Sequence, residues 1–312
     1  MSEPAYIPHF ADRLIAAVRA KHTPVLVGLD PRQEGLPPGF VSGQGAHALA
    51  RAYQSFCCEV IDVVAPLVPA VKPQSAFFEQ LGPPGCEALA ETIRYAASRG
   101  LLVILDGKRN DIGTTAQAYA DAYLGPRGQS AWGADALTIS PYLGDDSLTP
   151  FVRIAQERGA GIFVLVKTSN PGGGRFQDLV IDSLPLYRHV AAFVKGLSDT
   201  SVGENGYGIV GAVAGATYPE QLAELRQAMP STWLLIPGYG AQGGTAKDCA
   251  AAFDERGLGA IVNNSRGIIF AHARAPYSER FGPTRWQEAV GAATRDMIAE
   301  LRAETSAGRL VP

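Results

Sequence analysis

The chain has 312 residues, 46% of them apolar, with 27 basic against 30 acidic side chains and a formal net charge of −3. That is enough material for a full-size core, and a near-neutral balance without a basic run leaves no electrostatic footprint for nucleic acid. No apolar stretch reaches the length of a bilayer span, and the N-terminal MSEPAYIPHFADRL lacks the positive-then-apolar pattern of a secretory signal. The cysteines Cys57, Cys58, Cys86 and Cys249 form no CxxC pair, so neither a zinc site nor a disulfide framework is expected. These features predict a cytoplasmic protein with reduced thiols and no nucleic-acid or membrane partner.

Short apolar runs alternate with longer amphipathic stretches along the chain. Strands are expected over 25–29, 70–72, 101–105, 136–139, 162–166, 209–213, 233–236 and 260–262. Helices are expected near 47–65, 86–98, 114–123, 147–158, 184–197, 219–228 and 245–255, with a terminal helix around 284–304. Strands that are apolar on both faces and separated by helices indicate a parallel sheet. Eight such repeats predict an α/β fold, a (β/α)₈ TIM barrel with inserted loops and flanking terminal helices. The Gly-, Pro- or polar-rich segments 31–45, 169–178 and 273–285 are the places for those loops. No linker, low-complexity tract or internal repeat divides the chain, so one catalytic domain over 1–312 is expected.

In such a barrel the reactive residues sit at the C-terminal ends of the strands. The most informative of these ends is Asp106-Gly107-Lys108-Arg109-Asn110-Asp111. Side chains two apart leave a strand on the same side, which sets Asp106 beside Lys108 where an apolar run stops. Taken singly, each charge has a plain structural use. Lys72 precedes Pro73 and could be a solvated loop cation, Lys108 could merely pair with Asp106, and Asp111 could cap the following helix. The interleaved order Lys72, Asp106, Lys108, Asp111 argues for a network, because desolvated like charges are costly. Neighbouring acids favour the ammonium form of a lysine and equip it to act as an acid.

The last two strand ends, Pro237-Gly238-Tyr239-Gly240-Ala241-Gln242-Gly243-Gly244 and Asn263-Asn264-Ser265-Arg266-Gly267, read as a phosphate site. Loops after strands seven and eight commonly bind phosphate, and glycine lets backbone N–H groups approach its oxygens. Arg266 would supply a charge-assisted clamp, and Gln242 an amide donor from a loop, 238–245, able to close. Taken singly, the glycines could serve only a tight turn and Arg266 could be a surface charge. The histidines His9, His22, His47, His189 and His272 are scattered without metal-ligand spacing. Neither a GxSxG elbow nor a GxxxxGK[ST] loop is present, and Gly172-Gly173-Gly174 reads as a flexible loop.

The chain resembles the orotidine 5′-phosphate decarboxylase family, and specifically its longer bacterial subgroup, from about Pro24 to Ala271. DGKRNDIGTT matches the family pattern D-x-K-x-x-D-I-x-x-T. GLDP, VKPQ, VKTSNP, PGYGAQGG and NSRGI match at other strand ends. The resemblance implies cofactor-free conversion of orotidine 5′-monophosphate to uridine 5′-monophosphate and CO₂, the last step of de novo pyrimidine nucleotide synthesis, with no metal. It implies that Lys108 protonates C6, that Asp106 sits against the departing carboxylate and helps hold Lys108, and that Lys72 and Asp30 bind the ribose hydroxyls. Asp111 and Thr115 would reach the substrate from the other subunit of a homodimer with shared active sites, and Ile112 would also contact the substrate. Thr168, Ser169 and Asn170 would meet the pyrimidine edge, while Pro237, Gly240, Gln242, Ser265 and Arg266 would surround the phosphate.

Three other readings stay open at the level of sequence. A metal-dependent phosphosugar β-keto-acid decarboxylase could use the same barrel. A Schiff-base aldolase could use Lys72 or Lys108 as nucleophile, although acidic neighbours oppose the depressed lysine pKa it needs. A silent phosphate-binding protein could keep the fold without the chemistry.

Overall fold

The computed structural model describes residues 8–126, 128–240 and 243–310. Eight strands form a closed parallel barrel: β1 (Val25–Leu29), β2 (Ala70–Pro73), β3 (Leu102–Arg109), β4 (Ala136–Ile139), β5 (Gly161–Lys167), β6 (Val210–Ala214), β7 (Leu234–Ile236) and β8 (Ala260–Asn264). Each pairs with its neighbour in chain order, and β8 returns to β1 in the register Val25 to Val262. β1, β2, β4, β6, β7 and β8 are buried at every position, because side chains on one face fill the barrel and those on the other lie under helices.

The helical layer comprises α1 (Phe10–Lys21), α2 (Gly45–Val64), α3 (Pro83–Ser98), α4 (Gly113–Tyr123), α5 (Thr149–Arg158), α6 (Leu186–Asp199), α7 (Pro219–Ala228) and α8 (Trp286–Glu304), besides shorter turns. α2 shows why these stretches are helical. Tyr53, Phe56, Cys57, Val60, Ile61 and Val64 recur at three- and four-residue steps and are all buried on one stripe. α1 was not anticipated by range. It packs Phe10 edge-on against Phe163, with ring centroids 6.1 Å apart, at the start of β5. A Cβ at Gly161 would come within 2.2 Å of that Phe10 ring, so the bare glycine is what lets α1 dock there.

The structure amends three sequence expectations. The helix expected over 245–255 is a 3₁₀ stretch, Lys247–Ala252, whose run of alanines offers little apolar surface for a longer amphipathic helix. Leu184 and Pro185 are not helical but pair with Val180–Ile181 in a small hairpin, and α6 starts only after that proline. β3 does not stop at Leu105 but runs on to Arg109, and this difference shapes the site.

Candidate active site

Asp106 is the hub of the barrel mouth. Its Oδ2 accepts from Lys72 Nζ at 2.7 Å and Gln74 Nε2 at 2.9 Å. Its Oδ1 accepts from Lys108 Nζ at 2.5 Å and Thr138 Oγ1 at 3.0 Å. Asp106 and Lys72 are buried, whereas the Lys108 side chain is 47% exposed, so the ammonium is held from below and open above. Burial by itself would raise the Asp106 carboxyl, but the ammonium groups of Lys72 and Lys108 outweigh it and hold the group well below the usual carboxylate range. Burial likewise opposes the Lys72 ammonium, yet the carboxylates of Asp106 and Asp30 win and raise it above the ordinary lysine value.

This arrangement depends on an irregularity in β3. Leu105 pairs with Leu137 and Arg109 with Ile139, so four steps along β3 match two along β4. The extra residues bulge out, and Lys108 takes φ +44°, a left-handed conformation that costs a non-glycine residue roughly 1–3 kcal/mol. Thr138 fastens the bulge by accepting from the Lys108 backbone N–H at 3.0 Å while donating to Asp106. Asp106 and Lys108 therefore meet, but through a fastened bulge rather than through simple strand alternation.

These groups line a cavity of about 290 Å³ at the C-terminal mouth, together with Asp30, Thr168, Ser169, Asn170, Pro237, Ser265 and Arg266. Gly28 makes part of this wall possible, since a Cβ there would fall 2.7 Å from the Ser265 Cβ and 3.0 Å from Asn263 Oδ1. Asp30 Oδ1, Asn263 Oδ1 and Ser265 Oγ are buried and find no hydrogen-bond partner among the described residues. Buried polar atoms seldom go unpaired, so these mark where a polar ligand fits. Carboxylate, amide and hydroxyl oxygens suit the hydroxyl groups of such a ligand, and the half-buried Arg266 guanidinium suits an anion.

The remaining expected site residues lie apart. Asp111, Ile112 and Thr115 do not line this cavity; Ile112 is 53% exposed, and Asp111 Oδ1 accepts from the Ile112 N–H at 2.8 Å. Gly240 borders a neighbouring hollow against α8 rather than the main cavity. Gln242 lies outside the described residues, as does part of the loop 238–245 expected to close. Sequence reasoning gave no individual role to Gln74, Thr138, Asn263 or Asn264, all of which line the cavity. Gln74, Asn263 and Asn264 stand inside segments that the sequence singled out. Thr138 had no signal beyond its place near the end of β4.

Among the described residues no three His, Cys, Asp or Glu side chains cluster as metal ligands, and no helix is long and apolar enough to cross a membrane. A (β/α)₈ barrel with paired ammonium and carboxylate groups at its mouth, beside unpaired polar atoms and an arginine, defines an enzyme acting on a small polar anion. Residues 23–280 match the family described as Orotidine 5′-phosphate decarboxylase / HUMPS. An orotidine 5′-phosphate decarboxylase of Rhodopirellula baltica is 57% identical over 298 residues, covering 94% of this chain and 99% of its own. That of Deinococcus radiodurans is 43% identical over 265 residues, covering 85% and 90%. Among solved structures, the OMP decarboxylase of Leishmania donovani superposes with a TM-score of 0.74 at 33% identity, over 97% of this chain and 100% of that one. The chain also spans 56% of the Leishmania donovani UMP synthase, matching it over 95% of its own length with TM-score 0.75 and 36% identity. The chain belongs to the orotidine 5′-phosphate decarboxylase family, and within it is a carboxy-lyase.

Proposed function

We propose that this protein converts orotidine 5′-monophosphate to uridine 5′-monophosphate and CO₂ without a cofactor, as one catalytic domain working in the cytoplasm at the last step of de novo pyrimidine nucleotide synthesis. The observation that carries the proposal is the Lys72–Asp106–Lys108 chain, with its exposed end pointing into a cavity lined by unpaired polar atoms.

Breaking the bond from C6 to its carboxylate leaves an electron pair in the ring plane, where no π-system delocalises it. The Lys108 ammonium, held beside that carbon, stabilises the pair as it forms and then gives it a proton. Asp106 keeps Lys108 in place and stays ionised while doing so. Lys72 and Asp30 take the ribose hydroxyls, and Thr168, Ser169 and Asn170 the pyrimidine edge. Pro237, Ser265 and Arg266 surround the phosphate from the cavity wall, joined by Gly240 and Gln242 of the adjoining loop 238–245, and phosphate binding energy orients the distant reacting bond.

Asp111, Ile112 and Thr115 complete the site of a second copy in a homodimer. Two features support this. These residues do not line their own cavity, and exposed apolar side chains stand in the loops after β3, β4 and β5: Ile112, Tyr142, Leu143 and Phe176. Apolar side chains exposed together on one end of a molecule favour self-association.

The test is release of CO₂ and uridine 5′-monophosphate from orotidine 5′-monophosphate in the presence of a chelator. Equal yields of the two products at an undiminished rate are expected. Activity only on phosphosugar β-keto acids with added divalent metal would refute the proposal.

A further inference from the structure

Lys167, at the end of β5, is a second buried lysine at the barrel mouth, and the decarboxylation scheme gives it no part. Its side chain is 1% exposed and does not line the cavity. β5 carries an extra residue here, as Leu165 pairs with Val213 but Lys167 with the next residue, Ala214. The Lys167 ammonium lies 4.8 Å from the ring centre of Tyr218 and 5.4 Å from that of Tyr187, in a cation–π cage closed by Asp178 Oδ1 at 2.5 Å.

Asp178 arrives from the far end of the loop that begins with the cavity residues Thr168, Ser169 and Asn170. Its neighbour Gln177 adds a two-point clasp. Gln177 Oε1 accepts from the Thr168 N–H at 3.0 Å, and Gln177 Nε2 donates to Thr168 Oγ1 at 2.8 Å. Between the two ends, Gly172-Gly173-Gly174 is not slack chain but part of two consecutive helical turns. A Cβ at Gly173 would fall 2.8 Å from Thr168 Oγ1, and one at Gly174 would fall 2.7 Å from Asp178 Oδ2. The glycines are therefore what allows the loop to fold back onto its own root.

We propose that Lys167, Gln177 and Asp178 are positioning residues that clasp the loop 168–178 to the end of β5 and so set Ser169 and Asn170 against the pyrimidine of the substrate. This rests on the reading above, in which those two residues meet the base. A buried ammonium is costly unless paired, so the ion pair penalises any pose in which Asp178 swings out. The Thr168 N–H has its acceptor only when Gln177 is home. Both ends of the loop are thereby committed to one conformation before the ligand arrives, which lowers the ordering cost of binding.

Asp178 is partly exposed and can be truncated without emptying the core. In Asp178→Ala, and independently in Gln177→Ala, hydrogen exchange at the Thr168 amide should accelerate about tenfold or more, as expected of a locally opened segment. Affinity for uridine 5′-monophosphate should fall about tenfold while that for ribose 5-phosphate, which lacks the base, stays within about twofold, and KM for orotidine 5′-monophosphate should rise more than kcat falls. A double-mutant cycle with Ser169→Ala should be non-additive. Unchanged exchange at Thr168 would overturn the clasp. Faster exchange with unchanged nucleotide affinity, or equal loss of both ligands, would overturn its positioning role. Ser169→Ala alone reports on the underlying reading, because full nucleotide affinity in that variant removes Ser169 from the base contact whatever the clasp does.

Discussion

Lys108 Nζ lies 2.5 Å from Asp106 Oδ1, and Lys108 has φ +44°. A regular strand would also put the two side chains on one face, but here they meet across the β3 bulge, which sets where the ammonium stands. The strained backbone is held by Thr138, which binds the Lys108 N–H and the Asp106 carboxylate at once. Thr138→Val removes both bonds with little change of shape. It is expected to lower kcat by about ten- to a hundredfold with little change in product affinity, since a misplaced catalytic group costs rate more than binding. Steady-state kinetics beside uridine 5′-monophosphate binding checks this, and a variant with full kcat would show that Thr138 does not hold the lysine.

The charge chain has a defined pH signature. The Asp106 carboxyl is depressed below its ordinary value of 3.8, so its share of stability is complete above that value and is lost as pH falls through the lowered one. Lys72 is raised above its ordinary 10.5, so its share is complete below that value and is lost only as pH rises through the raised one. The melting-temperature gap between wild type and Asp106→Asn should therefore stay flat across neutral pH and narrow only below about pH 4. A gap that closes between pH 7 and 5 would contradict the pairing.

Arg266 is predicted to carry the phosphate. Arg266→Ala should raise KM for orotidine 5′-monophosphate by about ten- to a hundredfold, the scale of a charge-assisted hydrogen bond, while leaving the weak binding of uridine unchanged. Calorimetric titration with uridine and uridine 5′-monophosphate separates the two effects. Equal losses for both would place Arg266 away from the phosphate.

The proposed shared site has an arithmetic consequence. In a homodimer of that kind, mixing Lys108→Ala with Asp111→Ala protein makes half the dimers mixed, each with one intact site, so about a quarter of wild-type activity should return. No return after demonstrated subunit exchange would show that Asp111 does not serve a partner.

Much of this was readable from the chain. All eight barrel strands stand near their expected ranges because burial on both faces leaves uninterrupted apolar runs. The charges of the site were legible for the same reason, since Asp30, Lys72 and Asp106 interrupt those runs at their ends. What escaped were residues whose roles come from another segment. Thr138 matters because β4 lies beside the β3 bulge, and a bulge leaves no mark in hydrophobic alternation. Lys167 stands inside the quoted VKTSNP with no reading of its own, and its partner Asp178 stands 11 residues on, beyond a glycine run that reads as slack until its contacts are seen. α1 went unplaced although Phe10, Ala11, Leu14, Ile15 and Val18 have helical spacing, because the segment stands ahead of the strand–helix repeat that organised the rest.

The most direct measurement is the loss of ultraviolet absorbance from orotidine 5′-monophosphate, in chelator, with wild type beside Lys108→Ala. Lys108 is half exposed, so the variant should fold and still bind uridine 5′-monophosphate, yet turn over at least about 10⁴-fold more slowly for want of both the charge and the proton. Rapid loss with wild type alone is the predicted result. Comparable rates in the two proteins would contradict the assignment of Lys108 as the group that stabilises and protonates the carbanion.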